Sequence, residues 1–297
     1  MDTTIIDDLR RKFRQGSMLM QLIYINCAVF VIIAVIQISL MLFRLDASPF
    51  LRFLQLPASL GNFLKQPWSI LTYMFLHAGL LHLVFNMLWL YWFGTMFLQY
   101  FSAKHLRGLY LFGGFCGGAL YMLMFNIFPV FTPIVNYAFM MGASASVLAV
   151  VAAVAYREPN YPVNLLLLGT FKLKYLALVV IGLDLLFINS ENAGGHIAHL
   201  GGALSGLWFA YSLAKGSDLT KWINNAIDLL TSIFTPKYRK PRMKVEYGSK
   251  RQADYDFNTK KKEKNDQIDT ILEKIKKSGY SSLTEEEKKA LFNASKH

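Results

Sequence analysis

Gly142-Ala143-Ser144-Ala145-Ser146-Val147-Leu148-Ala149-Val150-Val151-Ala152-Ala153-Val154-Ala155-Tyr156-Arg157 is apolar from end to end except for two hydroxyls near its start. Arg157 marks a water-facing end. From Ser144 to Tyr156 a helix rises only ~20 Å at 1.5 Å per residue, whereas a bilayer core is ~30 Å thick. The spacing therefore predicts a membrane helix that begins ~10 Å below the far surface. The loop at 127–142, with Pro129, Pro133 and Gly142, must dip into the membrane to feed it. Irregular backbone at that depth is tolerated only where protein or a water-filled cavity surrounds it. Ser144 then sits on the floor of such a cavity, and its N–H lies at a helix start that favours developing negative charge.

The rest of the chain agrees with a membrane setting. Of its 297 residues 54% are hydrophobic and 17% charged, where a soluble domain carries about a quarter charged. The apolar residues fall in blocks near 19–43, 70–98, 106–126, 143–156, 174–189 and 196–214, an expected all-α bundle of six spans. No strand-like alternation argues for a barrel. The first block is too long for a cleaved signal core. Cys27 and Cys116 fall inside spans and read as packing residues.

Lys and Arg placement sets the expected orientation. Arg10, Arg11, Lys12 and Arg14 precede the first span, Lys104 and Arg107 lie between the second and third, and Arg157, Lys172 and Lys174 between the fourth and fifth. The termini are expected in the cytoplasm and the loops at 44–69, 127–142 and 190–195 outside. The net charge of +12 is concentrated in the tail beyond residue 214. Anionic lipid at the cytoplasmic face explains that excess, and no nucleic-acid partner is expected.

Four segments follow: an N-terminal cytoplasmic stretch (1–18), the membrane domain (19–214), an amphipathic helix over 218–234 with a basic linker (215–262 together), and a small helical hairpin (263–297). Gly279 supplies the hairpin's stop, and Thr284 with Glu287 a capping box.

His199, Gly202 and Gly206 recur at i, i+3 and i+7 on the sixth span, hence on one face. The two glycines permit close approach to a neighbouring helix. If that neighbour is span four, Ser144 and His199 come within hydrogen-bonding reach as nucleophile and base. On span two, His82 and Asn86 share a face at i, i+4, and both can donate to the oxygen of a tetrahedral intermediate. A metal reading of His77, His82, His196 and His199 competes. It lacks a His-Glu-x-x-His pattern, and no nearby carboxylate or cysteine sets a ligand pattern. His196 reads as a histidine near the outer headgroups. Counting up from Lys174 puts Asp184 at mid-bilayer, below the site, as a structural acid. Ser146 points away from Ser144, and Gly113, Gly114, Gly117 and Gly118 read as packing residues.

Taken together, Gly142-x-Ser144, His82 with Asn86, and His199-x-x-Gly202-x-x-x-Gly206 resemble the rhomboid family of six-span intramembrane serine proteases over roughly residues 60–214. The resemblance implies a Ser144–His199 dyad without cofactor or bound metal. It implies an oxyanion hole of the Ser144 N–H, His82 and Asn86, with His77, Gly142, Gly202 and Gly206 supporting the site and Trp68 in the first outer loop. Single-span or multi-span membrane proteins are the implied substrates, and a bacterial inner membrane the implied location. Three positions depart from the family pattern: Ser69 where arginine is common, Ala145 where glycine is usual, and Leu148 where an aromatic often stands. Ala145 is expected to bring a methyl close to the oxyanion site. An inactive rhomboid-like scaffold that binds transmembrane segments, and a transporter or channel, are the rival readings.

Overall fold

A computed structural model of the chain describes Phe13 and residues 15–165, 169–234 and 249–294. The basic cluster at Arg10, Arg11, Lys12 and Arg14 lies outside the described residues, as does most of the linker at 235–248. The chain divides into two compact units, Met1–Thr235 and Pro236–His297.

Several helices build the first unit: α1 (Met18–Leu42), α2 (Leu80–Tyr100), α3 (Ala103–Ile127), α4 (Ser144–Arg157), α5 (Leu173–Leu186) and α6 (Ala193–Ala214). Among the described residues, α1, α2 and α3 are long and apolar enough to cross a membrane, and α4 is a shorter apolar helix. Apolar side chains on α1 face outward from Val31 to Leu42, as expected of a helix solvated by lipid. α4 is the opposite case, with every residue from Ala145 to Ala155 buried. It is the central post of the unit, and its small side chains let α3 and α6 close around it.

The second span differs from its expected bounds. Residues 69–75 form a separate short helix and a 3₁₀ turn, and α2 begins only at Leu80. The break falls at Leu76–Gly79, where Leu76 and Gly79 are extended. There His82 Nδ1 accepts from the Ala78 N–H at 3.4 Å, so a side chain takes up a donor left outside the helix. Hydropathy alone could not detect this break because both sides of it are apolar.

Two small strand pairs, absent from the sequence reading, organise the loops. β1 (Leu56–Pro57) pairs antiparallel with β2 (Phe139–Met140), and Asn126 Nδ2 donates to Ala58 O at 2.8 Å. These contacts fasten the segment feeding α4 to the first loop. β3 (Pro162–Leu165) and β4 (Gly169–Lys172) form a hairpin ahead of α5.

α7 (Lys221–Phe234) packs within the first unit rather than with the tail. Asp228 accepts from Lys104 at 2.7 Å and Arg107 at 2.8 Å, and Arg107 Nε donates to Asn224 at 2.9 Å. Trp222, Leu229, Leu230 and Ile233 remain exposed, the outward apolar face of an amphipathic helix.

In the second unit, α8 runs from Ser249 to Ser278 and α9 from Glu285 to Ala294. The helix therefore starts well before residue 263 and takes in part of the expected linker. Its first turns are Lys-, Gln- and Asp-rich with little apolar periodicity, so propensity rather than pattern carries them. Gly279 ends it at φ 79°. Thr284 Oγ1 accepts from Glu287 N at 3.3 Å while Glu287 Oε2 accepts from Thr284 N at 2.7 Å, a reciprocal capping box.

Candidate active site

The first residue of α4 is Ser144, so its N–H is one of the donors that a helix start leaves without an intrahelical partner. Gly142, two residues earlier, has φ 143°, a conformation that favours glycine. Its N–H donates to Tyr73 O at 2.9 Å, and the Tyr73 hydroxyl donates to Gly114 O at 2.6 Å. A Cβ on Gly142 would lie 3.1 Å from His82 Cε1 and 3.5 Å from Ser144 Oγ. The glycine is thus required by backbone shape and by space together.

α6 reaches α4 through its glycines. A Cβ on Gly202 would stand 2.1 Å from Ala145 O, and one on Gly206 would stand 2.1 Å from Ala149 O. Both obstacles are backbone atoms and cannot turn aside. On the other flank, a Cβ on Gly113 would meet the Ala149 Cβ at 2.4 Å, and one on Gly117 the Ala145 Cβ at 2.6 Å. The Ala145 methyl is therefore turned toward α3. That corrects the expectation that it crowds the oxyanion site.

With α4 and α6 in backbone contact, His199 Nε2 lies 2.6 Å from Ser144 Oγ. The opposite ring nitrogen, Nδ1, is 2.8 Å from Asp184 Oδ1. A carboxylate can only accept, so Nδ1 carries the proton and Nε2 presents its lone pair to the serine O–H. His196 Nδ1 also lies 2.8 Å from the same Oδ1.

One sequence expectation needs correction here. Asp184 lies beside the site rather than below it, and its partners are His199 and His196. Counted from Lys174, α5 rises ~15 Å to Asp184. The site itself is sunk to nearly that depth, because Ser144 stands only ~20 Å above Arg157. The remaining ~5 Å is within the reach of an imidazole.

On α2, Asn86 is buried and donates from Nδ2 to His82 O at 2.8 Å, leaving its second amide hydrogen available. Accepting at Nδ1 leaves the His82 proton on Nε2, the edge turned toward Gly142. His77 is buried with its ring 5.2 Å from that of His82, edge-on. Neither of its nitrogens has a partner among the described residues. Ser146 is fully buried and faces Gly114 rather than the cavity. Trp68 Nε1 donates to Phe53 O at 2.8 Å, which folds the first loop on itself, while Ser69 is buried.

Ser144, His199, Asp184, His196, His82 and Asn86 line one cavity of about 510 Å³. Its remaining wall is largely apolar: Phe85 and Trp89 from α2, Leu148 from α4, Val180 and Leu183 from α5, and Phe187 just past its end. Asn192 and Gly195 close its top and also border a second cavity of about 820 Å³ beneath the loop carrying Phe131 and Tyr137.

Comparison with known proteins agrees with this architecture. Residues 64–216 match the family model described as the Rhomboid domain. Residues 252–297 match a family of unknown function, DUF6576. The chain is 29% identical over 184 residues to RHOMBOID-like protein 7 of Arabidopsis thaliana, covering 59% of this chain and 51% of that protein. It is 32% identical over 163 residues to RHOMBOID-like protein 12, mitochondrial, of the same plant, covering 49% and 46%. Presenilin-associated rhomboid-like protein A, mitochondrial, of Danio rerio is 28% identical over 138 residues, covering 46% and 34%. The chain thus spans about half, or less, of the length of these relatives. Two of them are named as mitochondrial, at odds with the expected bacterial inner membrane.

Proposed function

The chain belongs to the rhomboid family, and from that premise we propose that it is an intramembrane serine endopeptidase that cleaves transmembrane helices near the non-cytoplasmic face. The observation that carries this reading is the 2.6 Å approach of Ser144 Oγ to His199 Nε2. In the reaction His199 takes the hydroxyl proton as Ser144 attacks the scissile carbonyl, and returns it to the leaving amine. The Ser144 N–H, His82 Nε2–H and the free Asn86 N–H would receive the carbonyl oxygen as it gains charge. Asp184 holds the imidazole in the tautomer that can accept, and steadies the imidazolium once formed.

All six apolar helices are taken to span the bilayer, with both termini cytoplasmic and the basic flanks on anionic lipid. The substrates are membrane proteins. A substrate helix enters between α2 and α5, whose Phe85, Trp89, Val180 and Leu183 give the cavity an apolar side wall. Such a helix must unwind to expose a peptide bond, so small, helix-weakening residues at that depth favour cleavage.

The test is incubation of the detergent-purified chain with a single-span substrate. Cleavage by the wild type that is lost in both Ser144→Ala and His199→Ala is expected, together with fluorophosphonate labelling of Ser144. Binding of the substrate without cleavage or labelling would turn the assignment to a non-catalytic scaffold.

A further inference from the structure

The base of the proposed dyad belongs to a second constellation. Asp184, His196 and His199 bring a carboxylate oxygen and two imidazole nitrogens within 4.8 Å of one another. Both nitrogens approach the same oxygen, Oδ1, at 2.8 Å. The other oxygen, Oδ2, is buried and has no hydrogen-bond partner among the described residues, in a side chain 5% exposed on the whole residue. A buried anionic oxygen without a partner is costly. The hydrolytic reading gives it no task, and it gives His196 none either.

Two imidazoles and one carboxylate, with a fourth side open to a cavity, are the donor set of a three-ligand transition-metal site. Nitrogen donors favour zinc and its neighbours over magnesium or calcium. Bonds of ~2.05 Å at tetrahedral angles separate ligand atoms by ~3.3 Å. To admit an ion the two 2.8 Å contacts open by ~0.5 Å, while the widest ligand separation, within 4.8 Å, closes by up to ~1.5 Å. The ligands come from two helices and include the pair His196 and His199, one turn apart on α6.

We propose that Asp184, His196 and His199 form an inhibitory site for a zinc-like divalent ion. The inference rests on the reading of Ser144 and His199 as nucleophile and base. A metal on Nδ1 of His199 occupies the lone pair there, so the single proton of the neutral ring moves from Nδ1 to Nε2. That nitrogen then donates toward Ser144 Oγ instead of accepting from it. The serine proton has nowhere to go, and the hydroxyl stays inert. His196 and Asp184 complete the grip.

The test uses full-length protein without an affinity tag, titrated with Co²⁺ and with Zn²⁺. Visible absorption should report about one tetrahedral Co²⁺ per chain in the wild type, and equally in Ser144→Ala, which lacks the nucleophile but keeps the ligands. Zn²⁺ should slow fluorophosphonate labelling of Ser144, and a chelator should restore it. In His196→Asn, with each rate normalised to the same variant without metal, the half-inhibiting Zn²⁺ concentration should rise about ten-fold or more. Wild-type labelling indifferent to Zn²⁺, with no Co²⁺ spectrum, overturns the proposal. So does labelling that a chelator abolishes and Zn²⁺ restores, since the ion would then be an activator. Absence of labelling under all conditions, with Co²⁺ still bound by wild type and Ser144→Ala, instead removes the hydrolytic reading and leaves the metal site standing.

Discussion

Asp184 Oδ1 lies 2.8 Å from His199 Nδ1, on the ring nitrogen opposite the one that reaches Ser144. A dyad is thereby extended by a buried acid from α5, the helix that also walls the cavity. Asp184→Asn keeps the shape but can present an amide hydrogen where the carboxylate accepted. The ring then favours the wrong tautomer. Turnover should fall about 100-fold with KM little changed. A loss under about three-fold, measured by steady-state cleavage, would mean that His199 needs no help from α5.

Gly142→Ala tests the turn before the nucleophile. The new Cβ adopts an unfavourable φ and meets the His82 ring at 3.1 Å. Strain of about 1–2 kcal/mol should lower the melting temperature by only a few degrees, while Ser144 labelling drops strongly. Equal labelling of the variant and the wild type would show that the turn does not set the position of Oγ.

Gly202→Ala and Gly206→Ala probe the α4–α6 contact at two depths. Each Cβ runs into a backbone carbonyl at 2.1 Å, and the helices must part, at a cost of about 1–3 kcal/mol. Both should lower the melting temperature. Gly202→Ala, one turn from His199, should also reduce activity more than Gly206→Ala does. The reverse order, found by thermal unfolding and cleavage assays on the same preparations, would contradict the backbone-contact account.

Asn86→Ala removes one donor from the proposed oxyanion site. The amide is held by the His82 carbonyl at 2.8 Å, so its free hydrogen is pre-aimed. Loss of such a donor costs about 10²–10³ in kcat. Unchanged kcat would assign the oxygen to His82 and the Ser144 N–H alone.

The tail has its own pH dependence. Lys274, with both Glu287 carboxylate oxygens 2.9 Å away, and the Thr284 N–H hold the Glu287 carboxyl below its ordinary range. A depressed folded value means that the contact's stabilisation is complete above the ordinary glutamate range and fades as pH falls through the lower, folded value. Hydrogen exchange across Glu285–Ala294 should accordingly quicken in acid once intrinsic rates are corrected. Glu287→Gln should remove that dependence.

The wild-type geometry also marks how far reading the residues could reach. The pairing of Ser144 with His199 was legible because each piece left a local trace: a helix too short for the bilayer, a glycine ahead of the serine, and glycines at i+3 and i+7 from the histidine. The break at Leu76–Gly79 was masked, since apolar residues continue on both sides of its His77 and Gly79. The direction of the Ala145 methyl was hidden too. It depends on which flank α3 occupies, and no spacing within α4 states that.

The amino-acid order by itself determined a membrane-type helical chain with a hydroxyl and an imidazole inside apolar stretches, because hydropathy and helical rise act along the chain and can be counted. Only the tertiary structure decided that Asp184 and His196 join them. That meeting depends on how α5 is rotated and how far α4 and α6 sink together, and those are set by close packing between helices distant in sequence.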